Sequence, residues 1–151
     1  MTEALGAREI TITRVFEAPR EAVWKAWTEP EQLARWWGRR GWNTPLSSIT
    51  MDVSPGGALR LTSVSEADGT EMSSIGTYRE VVEPERLVFA ETDESGCPKV
   101  QGAVATVTLT DLGDGRTEMV CHIALQTTVE NRDRTAGGLT SAFERLSEHL
   151  A

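Results

Sequence analysis

The chain is poor in the residues that most often carry chemistry. Among its 151 residues are two cysteines and two histidines. Cys97 and Cys121 give no metal-ligand spacing, and no cluster of His, Cys and Asp has the spacing of a zinc site, so neither a metal nor a cofactor is expected. Cys121 falls in an apolar strand pattern and reads as small core filler, while Cys97 lies in the loop ESGCPK. A phosphate-cradling glycine loop and a strand-to-helix dinucleotide fingerprint are both missing. Serines and threonines are plentiful, but none occupies a nucleophile elbow, which leaves a hydrolase reading without support. There is no long apolar run, so no membrane span is expected. The opening MTEALGAREI lacks the basic-then-apolar layout of a signal peptide, and a cytoplasmic location is the expectation. A disulfide is not expected in that compartment. Lys and Arg number 15 against 23 Asp and Glu, for a net charge of -8, and they are scattered. The clustered basic footprint of a nucleic-acid binder is therefore absent.

What remains is one domain's worth of chain, residues 1–151, large enough to bury roughly 68% of its unfolded surface in a core without staples. Its most informative segment is VWKAWTEPEQLARWWG, residues 23–38, which holds four of the five tryptophans. Tryptophan is bulky and its indole N–H needs a partner when buried. Such density implies the wall or lid of a cavity, or a docking surface. Trp24 and Trp27 share a helix face with Val23 and read as core. Trp36, Trp37 and Trp42, on a short helix and its following loop, read as a pocket rim. Arg39-Arg40 is the only basic concentration near these rings; it reads first as a solvated loop pair and second as a contact for an anionic ligand group.

Residues 9–17 alternate as a first strand. Pro19 suits a first helical position, and a second short helix follows Pro30, with Leu33, Trp36 and Trp37 on one side. Segments near 47–53, 57–65, 72–82, 86–93, 103–111 and 117–126 alternate with period two and are separated by turn formers such as Gly56-Gly57, Asp68-Gly69, Ser95-Gly96 and Asp114-Gly115. Gaps this short predict antiparallel hairpins. Residues 131–150 return to helical periodicity through Leu139, Phe143, Leu146 and Leu150, with Glu144, Arg145 and Glu148 opposite. Gly137-Gly138 at its start marks a helix start, a kink or a close backbone approach. The expected fold is α+β: a curved antiparallel sheet wrapped around a long C-terminal helix, with two short helices plugging one end and a pocket between sheet and helix.

The stretches ITRVFEAPREAVWKAWTEPEQLARWWG, DVSPGGALRL, GTYREVVEPERLVF and FERLSEHL resemble the activator-of-heat-shock-ATPase-like branch of the START-like (SRPBCC) superfamily over about residues 10–150. The resemblance implies a helix-grip domain. Many members bind apolar or amphipathic small molecules between sheet and C-terminal helix, and a homodimer is compatible with the family. Relatives often carry Gly-Trp near the start of the last helix, whereas Leu139 follows Gly138 here. The co-chaperones that name the family carry a further N-terminal domain, for which this chain has no room, so a chaperone partner is not the leading expectation.

The leading expectation is a small-molecule binding protein for an apolar or aromatic ligand, rather than an enzyme. Trp36, Trp37 and Trp42, with Tyr78, Phe89, Leu139 and Phe143, would line its cavity, and Arg60 or Glu91 would orient the ligand. An alternative is a cyclase or aromatase using Tyr78 and Arg60 to polarise a carbonyl. A third is a chaperone-associated stress-response protein. The plainer readings come first for each: Arg14 and Arg60 as partners for acidic side chains or convex-face residues, Tyr78 as a packed ring with its hydroxyl satisfied, His122 as an outer-face residue, and His149 as a complement to the helix dipole.

Overall fold

The computed structural model describes residues 5–92 and 102–151. Cys97 and the Ser95-Gly96 turn lie outside these. Strand β1 (Gly6–Phe16) is followed by helices α1 (Arg20–Thr28) and α2 (Pro30–Trp36), then by the two-residue strands β2 (Trp42–Asn43) and β3 (Thr50–Met51). Five longer strands come next: β4 (Ala58–Ser65), β5 (Glu71–Val82), β6 (Arg86–Glu91), β7 (Val104–Asp111) and β8 (Thr117–Thr127). Helix α3 (Val129–Leu150) closes the chain. All strand pairs are antiparallel, in the order β1-β8-β7-β6-β5-β4-β2, with β3 also on β4. This is the expected helix-grip arrangement of a curved sheet and a long C-terminal helix.

Alternation decides which side chains face the helices. Ile10, Phe16, Leu59, Leu61, Tyr78, Leu87, Val107, Leu109, Met119, Cys121 and Ile123 are buried on one face. Burial pushes the Cys121 thiol up to about 12, so it stays a protonated, inert core group. Helix α3 packs on β1, α1 and α2. Its buried residues, Ala142, Phe143 and Leu146, all sit in its C-terminal half.

Three local expectations are corrected. The segment 47–53 is mostly a 3-10 turn (Leu46–Ser48) and β3, because Pro45 and the Ser48 hydroxyl, which donates to Pro45 O at 2.7 Å, bend the chain there. Pro19 is the N-cap of α1 and not its first residue; its carbonyl accepts from the amides of Ala22 and Val23. Helix α3 begins before residue 131, where the Thr128 hydroxyl accepts from Asn131 N at 3.1 Å and supplies the side-chain cap. Gly137-Gly138 lies well inside that helix.

Candidate ligand-binding cleft

The apolar pattern of the concave face breaks at one corner. On β4 it runs Leu59, Leu61, then Ser63; on β5, read backwards, it runs Tyr78, Gly76, Ser74, then Met72. Small polar side chains there leave room beneath the N-terminal half of α3. The result is a cleft of about 660 Å³. Its floor is Ser63, Met72 and Ser74. Its roof is the α3 face carrying Asn131, Arg134, Thr135, Gly138 and Leu139. Its end wall is the loop after α2, with Trp37, Gly38 and Arg39, together with Trp42 at the start of β2.

The end wall is held from both sides. Gly38 and Gly41 both have positive φ, at 94° and 93°, which folds the loop back on itself. That fold gathers the carbonyls of Trp37, Gly38 and Trp42 onto Arg145 Nη1 at 3.1, 3.0 and 3.2 Å, while Arg145 Nη2 donates to Arg35 O at 3.1 Å. Desolvation, together with the neighbouring charge of Arg40, lowers the Arg145 pKa from its ordinary value. Arg40 N donates to the Ser141 hydroxyl at 2.9 Å, and its guanidinium pairs with Glu148 at 2.7 Å. Toward the sheet, β2 pairs with β4, and Thr44 Oγ1 shares a 2.8 Å hydrogen bond with Ser63 Oγ. Helical spacing puts Arg145 on the polar side of its helix; its aliphatic stem carries the guanidinium from there to these carbonyls.

Arg39 reaches across Gly137-Gly138, and its Nη2 donates to Arg134 O at 2.8 Å. A Cβ on Gly138 would stand 3.3 Å from that nitrogen. The paired glycines therefore mark a close approach, made by a side chain rather than by backbone.

Of the residues singled out from the sequence, Trp37, Trp42 and Leu139 line the cleft. Trp36, expected at the rim, is 0% exposed and lies beneath, where it contacts Trp27, Trp37 and Phe143 at ring-centroid distances of 4.8, 5.6 and 6.3 Å. Phe143 and Tyr78 are buried too. Phe89 is half-buried against Tyr78, and Glu91 accepts from Ala103 N at 3.2 Å, farther along the concave face. Arg60 sits on the opposite face of β4 from Leu59 and Leu61, so it cannot share a substrate with Tyr78. Burial also raises the Tyr78 phenol well above its ordinary pKa. The facing of Arg60 alone rules out the paired Tyr78–Arg60 arrangement of a cyclase. His122, half exposed, pairs with Glu9 at 2.9 Å. The sequence reading missed Ser63, Met72, Ser74, Asn131 and Arg134. The shift from large apolar to small polar residues along β4 and β5 is the signal that points to the first three.

Among the described residues no group of His, Cys, Asp and Glu could hold a metal ion, and no helix is long and apolar enough to cross a membrane.

A curved antiparallel sheet gripping a long C-terminal helix, with a cleft between them, defines a helix-grip domain. The family described as Activator of Hsp90 ATPase homolog 1-like protein matches residues 17–151, and the chain belongs to it. Similar solved structures include a protein from Arthrobacter aurescens, 27% identical with a TM-score of 0.76, covering 94% of this chain and 85% of that one. A protein from Nitrosomonas europaea is 23% identical, with a TM-score of 0.79 and coverage of 94% and 93%. The AHSA1 protein of Silicibacter pomeroyi is 19% identical, with a TM-score of 0.80 and coverage of 95% and 97%. The last two show the shared fold alone. None of the curated proteins matches the chain in sequence.

Proposed function

We propose that this protein binds an apolar or aromatic small molecule in the cleft between α3 and β4–β5. The observation that carries the reading is the cleft's construction. Its volume, about 660 Å³, falls inside the range of small-molecule sites, roughly 300–1,000 Å³. Its walls combine the flat faces of Trp37 and Trp42 and the side chains of Met72 and Leu139 with a few polar groups. Met72, 63% exposed, is a large apolar side chain facing open space at the mouth, and a ligand would cover it. Trp37, Trp42 and Leu139 are the contacts proposed from both sequence and geometry. Phe89 and Glu91 extend the same concave face and would meet a longer ligand.

Native mass spectrometry of freshly purified protein, with denaturing extraction of anything bound, tests the reading. A stoichiometric small molecule that is lost from a Trp37→Ala, Leu139→Arg double variant supports it. A molecule retained at full occupancy by that folded variant places binding elsewhere and overturns it.

A further inference from the structure

The cleft is electrostatically out of keeping with the rest of the molecule. The chain carries a net charge of -8, yet among the described residues the lining includes two guanidinium groups, Arg39 and Arg134, and no carboxylate. The two differ in what they already hold. Arg134 pairs with Glu130 at 3.3 Å. Among the described residues the Arg39 guanidinium has no carboxylate within salt-bridge distance and makes one hydrogen bond, to Arg134 O. That bond, and the room given by Gly137-Gly138, fix the guanidinium at the cleft wall with other N–H donors unspent. The Ser74 hydroxyl lies on the floor of the same cleft. Apolar surface for the body of a ligand is thus joined to a positioned cation of the kind that reads carboxylates through paired N–H groups.

We infer that the ligand is an amphipathic anion, a ring-bearing apolar body against Trp37, Trp42, Met72 and Leu139 with a carboxylate or similar oxyanion on Arg39. This rests on the binding role proposed above and specifies the chemistry of its ligand. An uncharged body of the same shape fills the apolar walls but leaves Arg39 unused. An anion without the body meets a single exposed arginine in an acidic protein, which holds it weakly.

Two fluorescent probes with one skeleton separate the parts: 8-anilinonaphthalene-1-sulfonate, an anion, and N-phenyl-1-naphthylamine, its neutral counterpart. The wild-type protein should bind the anionic probe about tenfold tighter than the neutral one, and the gap should narrow as salt rises. Arg39→Gln should remove about tenfold from the affinity for the anion and much less from that for the neutral probe. Arg39→Lys should restore part of the loss, and Arg116→Gln, which removes the same charge at a distant hairpin, should change neither. Melting temperatures confirm that each variant is folded. Equal losses of both probes in Arg39→Gln, or none, overturn the inference while leaving the binding role standing. If the wild type binds neither probe, the binding role and the inference fall together.

Discussion

The indole N–H of Trp36 donates to the carbonyl of Ala26 at 2.9 Å. In an uninterrupted helix that carbonyl would accept from the amide four residues on, but residue 30 is a proline and has none. One side chain from α2 thus completes the backbone of α1 and sets the corner between the two helices.

That bond separates two neighbouring tryptophans. Trp36 is fully buried and satisfied, whereas Trp27 is buried with no partner for its Nε1 among the described residues. Trp36→Phe loses ring volume and orphans a buried carbonyl, a cost of about 2–4 kcal/mol. Trp27→Phe loses similar volume but also removes an unsatisfied donor, and should cost less than about half as much. Urea denaturation of the two variants checks the order.

Arg145 holds four carbonyls, those of Arg35 in α2, of Trp37 and Gly38 just after it, and of Trp42 in β2. Arg145→Met keeps the aliphatic stem and strips away the donors, and should lower stability by about 2–3 kcal/mol. Arg145→Lys should recover little, because an ammonium cannot address carbonyls spread along a guanidinium edge. Thermal melts of the three proteins should therefore group lysine with methionine, and a lysine variant melting with wild type would falsify this account of the loop.

Gly137 and Gly138 sit in the interior of α3, where each glycine costs about 1 kcal/mol relative to alanine. The atoms a new Cβ would meet belong to the end of the flexible Arg39 side chain. Gly138→Ala should accordingly raise stability by about 0.5–1 kcal/mol while displacing the Arg39 guanidinium, so that anionic-probe affinity falls as the melting temperature rises. Gly57 is the opposite case, since a Cβ there would run into the backbone of Asp52, which cannot step aside. Gly57→Ala should destabilise by about 2 kcal/mol or more.

His149 Nε2 lies 3.1 Å from Gln32 Oε1, and burial, with the charge of Arg35 adding to it, lowers its pKa from the usual 6.5. The unfolded chain therefore takes up a proton at higher pH than the folded one. Stability attributable to this group is present above about pH 6.5 and is lost as the pH falls toward the lowered value. His149→Gln should flatten the dependence of stability on pH below about 6.5, measured by denaturant titration at stepped pH.

Strand alternation and helix periodicity were enough to place the longer strands and α3, because both report burial on a face and this sheet has one buried face. The cleft was legible only in part. Trp37, Trp42 and Leu139 could be assigned from aromatic density and helical spacing. Trp36 could not be told from its neighbour Trp37, since adjacent residues at a helix end point in different directions that only tertiary packing fixes. The convex-face reading of Arg60 is legible from alternation counted from Leu59 and Leu61, and it separates Arg60 from Tyr78. The role of Arg145 was hidden for a deeper reason: its partners are backbone carbonyls, which carry no residue identity in the sequence.

The segment from Trp37 to Thr44 is fastened to α3 at one end and to β4 at the other. It therefore behaves as a strut of fixed span between the jaws of the grip. A helix that lifted away from the sheet would have to break one of those attachments first. The gap between roof and floor is consequently a property of the strut's length. Adding or removing one residue near Gly41 would reset the thickness of the molecule the protein accepts, with every wall residue left unchanged.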